Sequence, residues 1–247
     1  MIDGFTAAQA LICFNESTQR LEVMLNTTDA SGVKYAQLPR KEKLDFDKAR
    51  HKEMDGLFTL KAYRLMSLEE SRRFKREHPE CVLPTRWVDR YKATDEGGAI
   101  AKSRIVILGF MDPHILQLER SAPTPTNEAR TCVCQVMASR GWPATSSDIS
   151  NAFGQARKTT RRQPLAGSLP SGMREAGYDV HPEQLLLAET EVYGLISGPS
   201  WLRQSLVADF EDLGYVKNPY DKCIMTLPPR KAQDRSCLLY TSPSPRD

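Results

Sequence analysis

The chain has no long hydrophobic run: nothing in its 247 residues approaches the roughly 18 apolar positions that a bilayer-crossing helix needs, which excludes a membrane-spanning helical protein. It also lacks a cysteine framework. The six cysteines (Cys13, Cys81, Cys132, Cys134, Cys223 and Cys237) form no pair of C-x-x-C units and have no histidine at zinc-ligand spacing. That removes a disulfide scaffold and a zinc site, and leaves reduced, structural thiols of a cytosolic or nuclear setting. Cys132 and Cys134, two apart in an apolar, helical stretch, are expected to face different sides. His51, His78, His114 and His181 are isolated from one another. No G-x-x-x-x-G-K-[ST], G-x-G-x-x-G, G-x-S-x-G or H-E-x-x-H motif occurs, so none of these signatures points to a phosphate loop, dinucleotide fold, nucleophile elbow or zincin. The opening segment carries Asp3, Glu16, Glu22 and Asp29, which is not a secretory signal. A large excess of one charge is missing too: 34 Lys+Arg stand against 31 Asp+Glu, and a net +3 only weakly favours an anionic partner.

What is present is a globular composition, 40% apolar and 26% charged with the signs mixed, which argues against wholesale disorder. A chain this long buries one large core or two small ones. Short apolar runs at 10–14 and 21–25 suit a hairpin across 15–20, followed by turn chemistry at 26–32. Met54, Leu57, Leu60 and Leu65 predict a helix over 47–66, and the Ser67–Glu70 capping box predicts a second over 68–77 that Pro79 stops. Alternation over 86–92 and 102–110, with TDEGG between, predicts a β-hairpin. A Pro-rich connector at 121–126 precedes a helix capped by Asn127 and ended by Gly141, then a strand at 144–150. Residues 157–177 read as loop and 185–192 as a strand. Leu202, Leu206, Phe210 and Leu213 mark one face of a helix ended by Gly214, and 223–227 is a last strand. The order implies an α+β arrangement, with helices packed on a mostly antiparallel sheet.

Four places could carry chemistry. Asp148, at the end of a predicted strand and five residues before Phe153, could hold a hard divalent cation, or simply cap a turn. Lys102 and Arg104 lie two apart on a strand and so share a face, which suits a triphosphate or a nucleic-acid backbone as well as plain solvation. Arg157, Lys158, Arg161 and Arg162 form a run that could follow phosphates, or be a solvated loop. Tyr193-Gly-Leu-Ile-Ser-Gly-Pro-Ser-Trp201 is a strand-to-helix turn whose Gly194 and Gly198 allow close backbone approach.

Taken in order, these segments resemble the reverse transcriptase of copia-type LTR retrotransposons over about 47–227. Lys52-Glu-Met-Asp-Gly-Leu57 resembles the family's E-M-D-x-L helix end, Arg86-Trp-Val-Asp-Arg-Tyr-Lys92 its W-V-[FY]-x-x-K strand, and Lys102-Ser-Arg-Ile-Val-Ile-Leu-Gly-Phe110 its K-A-R-L-V-A-x-G-F strand. Ser147-Asp-Ile-Ser-Asn-Ala-Phe153 is similar to the first catalytic motif, M-D-V-K-T-A-F, and Leu169-Pro-Ser-Gly172 to Q-P-x-G-F. Glu191–Trp201 is similar to S-L-Y-G-L-K-Q-A-P-R-x-W, and Leu213–Cys223 to L-G-F-x-x-S-x-x-D-x-C.

The resemblance implies the fingers and partial palm of an RNA-directed DNA polymerase that copies a primed RNA or DNA template with deoxynucleoside triphosphates and two Mg²⁺ ions. It makes Asp148 the first catalytic, metal-binding carboxylate, with Ile149 lending its carbonyl and Phe153 acting as a gate against the ribose 2′-hydroxyl. Lys102 and Arg104 would hold the triphosphate, and Tyr193 and Gly194 would line the nucleotide pocket. It also implies a polyprotein parent with an upstream integrase and a downstream RNase H, in a cytoplasmic virus-like particle or the nucleus. Three departures stand out. Ile196-Ser197 replaces the family's Lys-Gln, Ser150 replaces its Lys, and the Y-V-D-D motif does not follow Asp221. The expectation is therefore a C-terminally truncated polymerase over 46–228, inactive by itself, or alternatively a non-catalytic nucleic-acid-binding remnant of a transposable element. Residues 1–45 are then an unassigned leader or linker. Residues 229–247 resemble read-through into a sequencing adapter, a disordered or artefactual tail.

Overall fold

The computed structural model describes residues 33–94, 97–142 and 147–228, and the backbone course of three further strands. The chain divides into two units, 1–118 with 158–196, and 119–157 with 197–247. The predicted turns within 16–19 and 27–32, the hairpin tip at Asp95 and Glu96, and most of the tail lie outside the described residues. The fold is mixed α and β, with antiparallel pairing dominant, as the α+β reading expects.

In the first unit, β1 (Gln9–Asn15) and β2 (Arg20–Asn26) pair antiparallel, as the two apolar runs predict. Helix α1 (Arg40–Thr59) begins earlier than the predicted 47 and runs through residue 45 without a break. It also stops earlier than predicted. Lys61 N–H donates to Phe58 O (3.0 Å) and Ala62 N–H to Leu57 O (2.9 Å), the closure of a Schellman motif with Lys61 left-handed at φ 56°. A lysine there forfeits roughly 1 kcal/mol relative to the usual glycine. Leu65, predicted helical, lies instead in β3 (Tyr63–Leu65), because cross-strand pairing with β8 (Leu185–Ala188) overrides the local helical spacing. Helix α2 (Leu68–Glu77) is as predicted: Ser67 Oγ accepts the Glu70 N–H at 3.1 Å.

Strands β3, β8, β7 (Leu165–Ser168) and β4 (Val82–Leu83) make one sheet, with β4 and β7 parallel and the other pairs antiparallel. β7 falls inside the stretch predicted to be loop. The pleat sends Leu165, Leu186 and Ala188 to one face, against Met54 and Leu57 of α1 and Ile105 and Ile107. Ala166, Leu185 and Leu187 go to the other, against Phe74 of α2, Met66 and Cys81. Burying Leu57, Leu165, Leu185 and Leu186 stabilises the unit by about 2 kcal/mol each. Strands β5 (Thr85–Ala93) and β6 (Ala99–Ile107) form the predicted hairpin, in register Thr85↔Ile107. Its second arm begins at 99 rather than 102, because Gly97 at φ 81° and the Thr94 N–H to Gly98 O bond (2.8 Å) close the turn early. Arg50 of α1 pins the hairpin: its Nη2 lies 2.6 Å from Asp89 Oδ2, and both side chains are only 4% exposed. Ser103 Oγ adds a bond to Asp89 Oδ1 at 2.8 Å, and the Tyr35 ring covers the guanidinium at 3.8 Å.

In the second unit, α3 (Asn127–Arg140) is capped by Thr126, whose hydroxyl accepts the Ala129 N–H at 3.0 Å, so the cap lies one residue before the predicted Asn127. Gly141 ends it in the left-handed region, as predicted. Cys132 and Cys134 are exposed, and the four described cysteines are free thiols. The strand predicted at 144–150 is not found in its described part, since Ser147–Ile149 follow an irregular course and Ser150 begins a turn. Then come α4 (Ala152–Gln155) and α5 (Gly198–Asp212). On α5, Leu202 and Val207 are buried, whereas Leu213 is 61% exposed because it caps the helix end rather than lying on its core stripe. β9 (Val216–Lys217), β10 (Ile224–Leu227) and β11 (Cys237–Tyr240) form an antiparallel sheet, which brings a strand from the predicted tail onto β10.

Candidate nucleotide and nucleic-acid interface

On β6 the pleat buries Ser103, Ile105 and Ile107 and sends Lys102 and Arg104, both half-buried, to the other face. The shared face predicted from their spacing is therefore present. Ile107 directs its N–H to the open edge of the hairpin, where Tyr193 O accepts it at 3.0 Å. Gly194 makes this contact possible. Its φ is 94°, and an added Cβ would lie 2.0 Å from Ile107 O. Across the same contact, a Cβ on Gly109 would fall 2.3 Å from Gly194 O. With the two backbones this close, the Arg104 guanidinium stands 5.1 Å from the centre of the Tyr193 ring, a cation–π contact. Thus Arg104, Tyr193 and Gly194 come together in the first unit, with Lys102 beside Arg104 on its strand.

Behind them is a group that sequence reasoning missed. Glu53 of α1 accepts the Ile105 N–H at the same strand edge. Burial pushes its carboxyl above the ordinary range, and the positive charges of Arg104 and Lys102 oppose that rise. Its Oε1 and the Tyr63 hydroxyl are buried without a hydrogen-bond partner. Glu53 belongs to the quoted E-M-D segment, yet nothing in a helical pattern says that one of its acids faces inward.

The cationic run at 157–162 is not one surface. Arg161 is half-buried and paired: its Nε lies 2.5 Å from Glu191 Oε1 and its Nη1 2.5 Å from Asp112 Oδ2, with Thr159 Oγ1 donating to Glu191 at 2.9 Å. Its head is engaged in that triad, which anchors the loop. Lys158 is 76% exposed and 3.3 Å from Glu189, and Arg162 is exposed. Arg157 belongs to the second unit, where it pairs with Asp209 at 2.8 Å and with Asp212, and Trp201 Nε1 donates to its carbonyl at 2.7 Å.

Asp148 and Ile149 are exposed on the irregular segment before Asn151, a non-glycine residue at φ 50°. Phe153 follows on α4, half-buried. A two-ion Mg²⁺ site needs several oxygen ligands per ion. Here the donor set is one solvated carboxylate and one carbonyl, and among the described residues no group of three His, Cys, Asp or Glu could hold a metal. The described residues alone do not make up a two-ion site.

No family model, curated protein or solved structure matches this chain. The site therefore stands on its own geometry: a cation pair on a hairpin, one cation set over an aromatic ring, and a glycine-dependent backbone contact that joins them.

Proposed function

We propose that this chain carries the fingers and part of the palm of a copia-type retrotransposon reverse transcriptase, and that its described residues bind nucleotide or primed template without catalysing transfer. The observation that carries the reading is the meeting of Arg104 with Tyr193 over Gly194. Two segments far apart in sequence, each matched to a motif on separate grounds, form one contact of the kind that a triphosphate or a stacked base uses. Lys102 adds a second cation on that face. Asp148 and Ile149 would supply one corner of a metal site, and no transfer step runs through them here, because the second carboxylate motif does not occur in these 247 residues.

Primer extension on a primed RNA or DNA template with Mg²⁺ and all four deoxynucleoside triphosphates is expected to give no incorporation. Extension that Asp148→Ala abolishes would overturn the non-catalytic part of the proposal. Binding of the same primed template is expected to weaken on Lys102→Ala, and unchanged affinity would remove the hairpin from the interface.

The second reading, a nucleic-acid-binding remnant of a transposable element, shares this surface and differs only in lacking a catalytic parent. The cation pair favours both alike.

A further inference from the structure

Beneath the end of α1 lies a cavity of about 440 Å³, lined by Phe58, Lys61, Tyr63, Arg64, Leu65, Lys158 and Glu189. Every lining residue belongs to the first unit. The volume is in the range of small-ligand pockets, roughly 300–1,000 Å³. Its apolar wall is Phe58 and Leu65, and its rim carries three cations against one carboxylate. Two of those cations are engaged. Arg64 makes a two-pronged bond to Glu70 (2.7 and 2.9 Å), and Lys158 reaches Glu189 at 3.3 Å.

Lys61 is the informative residue. It fills the left-handed position of the Schellman motif, where glycine serves the backbone better, so the fold itself does not ask for a lysine there. Lys61 is exposed and lines the cavity, and it follows the negative end of the α1 dipole. An aromatic wall with cations along one rim suits a ligand that pairs a flat ring with a phosphate.

We propose that this cavity is a second binding site, distinct from the hairpin, for a nucleoside phosphate. The base lies against Phe58 and the phosphate is held by Lys61 and Lys158. Glu189 competes with that phosphate for Lys158. The ligand is either a free nucleotide or one residue of a single strand, which carry the same chemistry. The site does not depend on the hairpin reading, and the two fail separately.

The test is titration of the 247-residue chain with 2′-deoxyadenosine 5′-monophosphate, and in parallel with a single-stranded oligodeoxyadenylate, with Tm measured for each variant. Lys61→Gly is expected to keep or raise Tm while weakening binding about tenfold, the scale of one charge-assisted phosphate contact. A merely structural lysine would give the higher Tm with no loss of binding. Phe58→Leu is expected to weaken both ligands, and Glu189→Gln to strengthen them. Binding of the monophosphate assigns the site to free nucleotides, and binding of the oligomer alone assigns it to a strand. Binding of neither overturns the proposal. So does loss of binding on Lys102→Ala while Lys61→Gly retains it, which would place the ligand on the hairpin.

Discussion

Asp89 shows how much depends on one buried charge. Its carboxylate takes two bonds from the Arg50 guanidinium and one from Ser103, all out of reach of water. Removing it leaves the buried Arg50 with only the more distant Asp47, 3.9 Å away, so Asp89→Ala is expected to cost about 3 kcal/mol in a denaturation measurement. Glu53 is the opposite case, a carboxyl whose burial disfavours its ionised form. Because its folded pKa is raised, the group favours the fold most when pH lies below its ordinary value of 4.5, and that contribution is lost as pH rises through the folded pKa. Glu53→Gln keeps an acceptor for the Ile105 N–H and cannot ionise. It is expected to raise Tm at pH 7, with the gain shrinking toward zero below pH 4.5; a gain that is the same at both pH values would contradict the burial assigned to Glu53.

At the scale of elements, the hairpin and the Tyr193 turn are held together by two glycines that admit no side chain. Gly194→Ala would bring its Cβ 2.0 Å from Ile107 O, and is expected to cost more than about 2 kcal/mol and to weaken primed-template binding. A normal Tm for that variant would mean that the turn does not rest on β6 this closely. Helix α2 and the hairpin are legible in the sequence because their signals are local: a serine three residues before a glutamate, and alternation on both sides of a turn. β3 and β7 are not legible, because β3 exists by pairing with β8 and β7 by pairing with β8 and β4, both brought together from distant parts of the chain. The same holds for the site. Spacing alone places Lys102 and Arg104 on one face. It cannot show that Arg161 is consumed by Asp112 and Glu191, which fold back on it from distant segments. Nor can it show that Ser147–Ile149 form no strand, since the β-run that suggests one has no partner among the described residues.

For the whole molecule, a net charge of +3 says little, because the charge matters by position. Arg157 and Arg161 are neutralised within their own units and Glu189 pairs with Lys158, and the cations proposed to meet a ligand are Lys102 and Arg104 on β6 and Lys61 and Lys158 at the cavity. Among the described residues, no helix is long and apolar enough to cross a membrane. The proposed interface would bind a polyanion through few contacts. The most direct measurement of that claim is the affinity for a primed template as a function of salt. The logarithm of the association constant should fall linearly with the logarithm of salt concentration, and Lys102→Ala should reduce the slope by about one unit, the share of a single phosphate contact. An affinity that does not change between low and moderate salt, or a slope that Lys102→Ala leaves intact, would contradict the account.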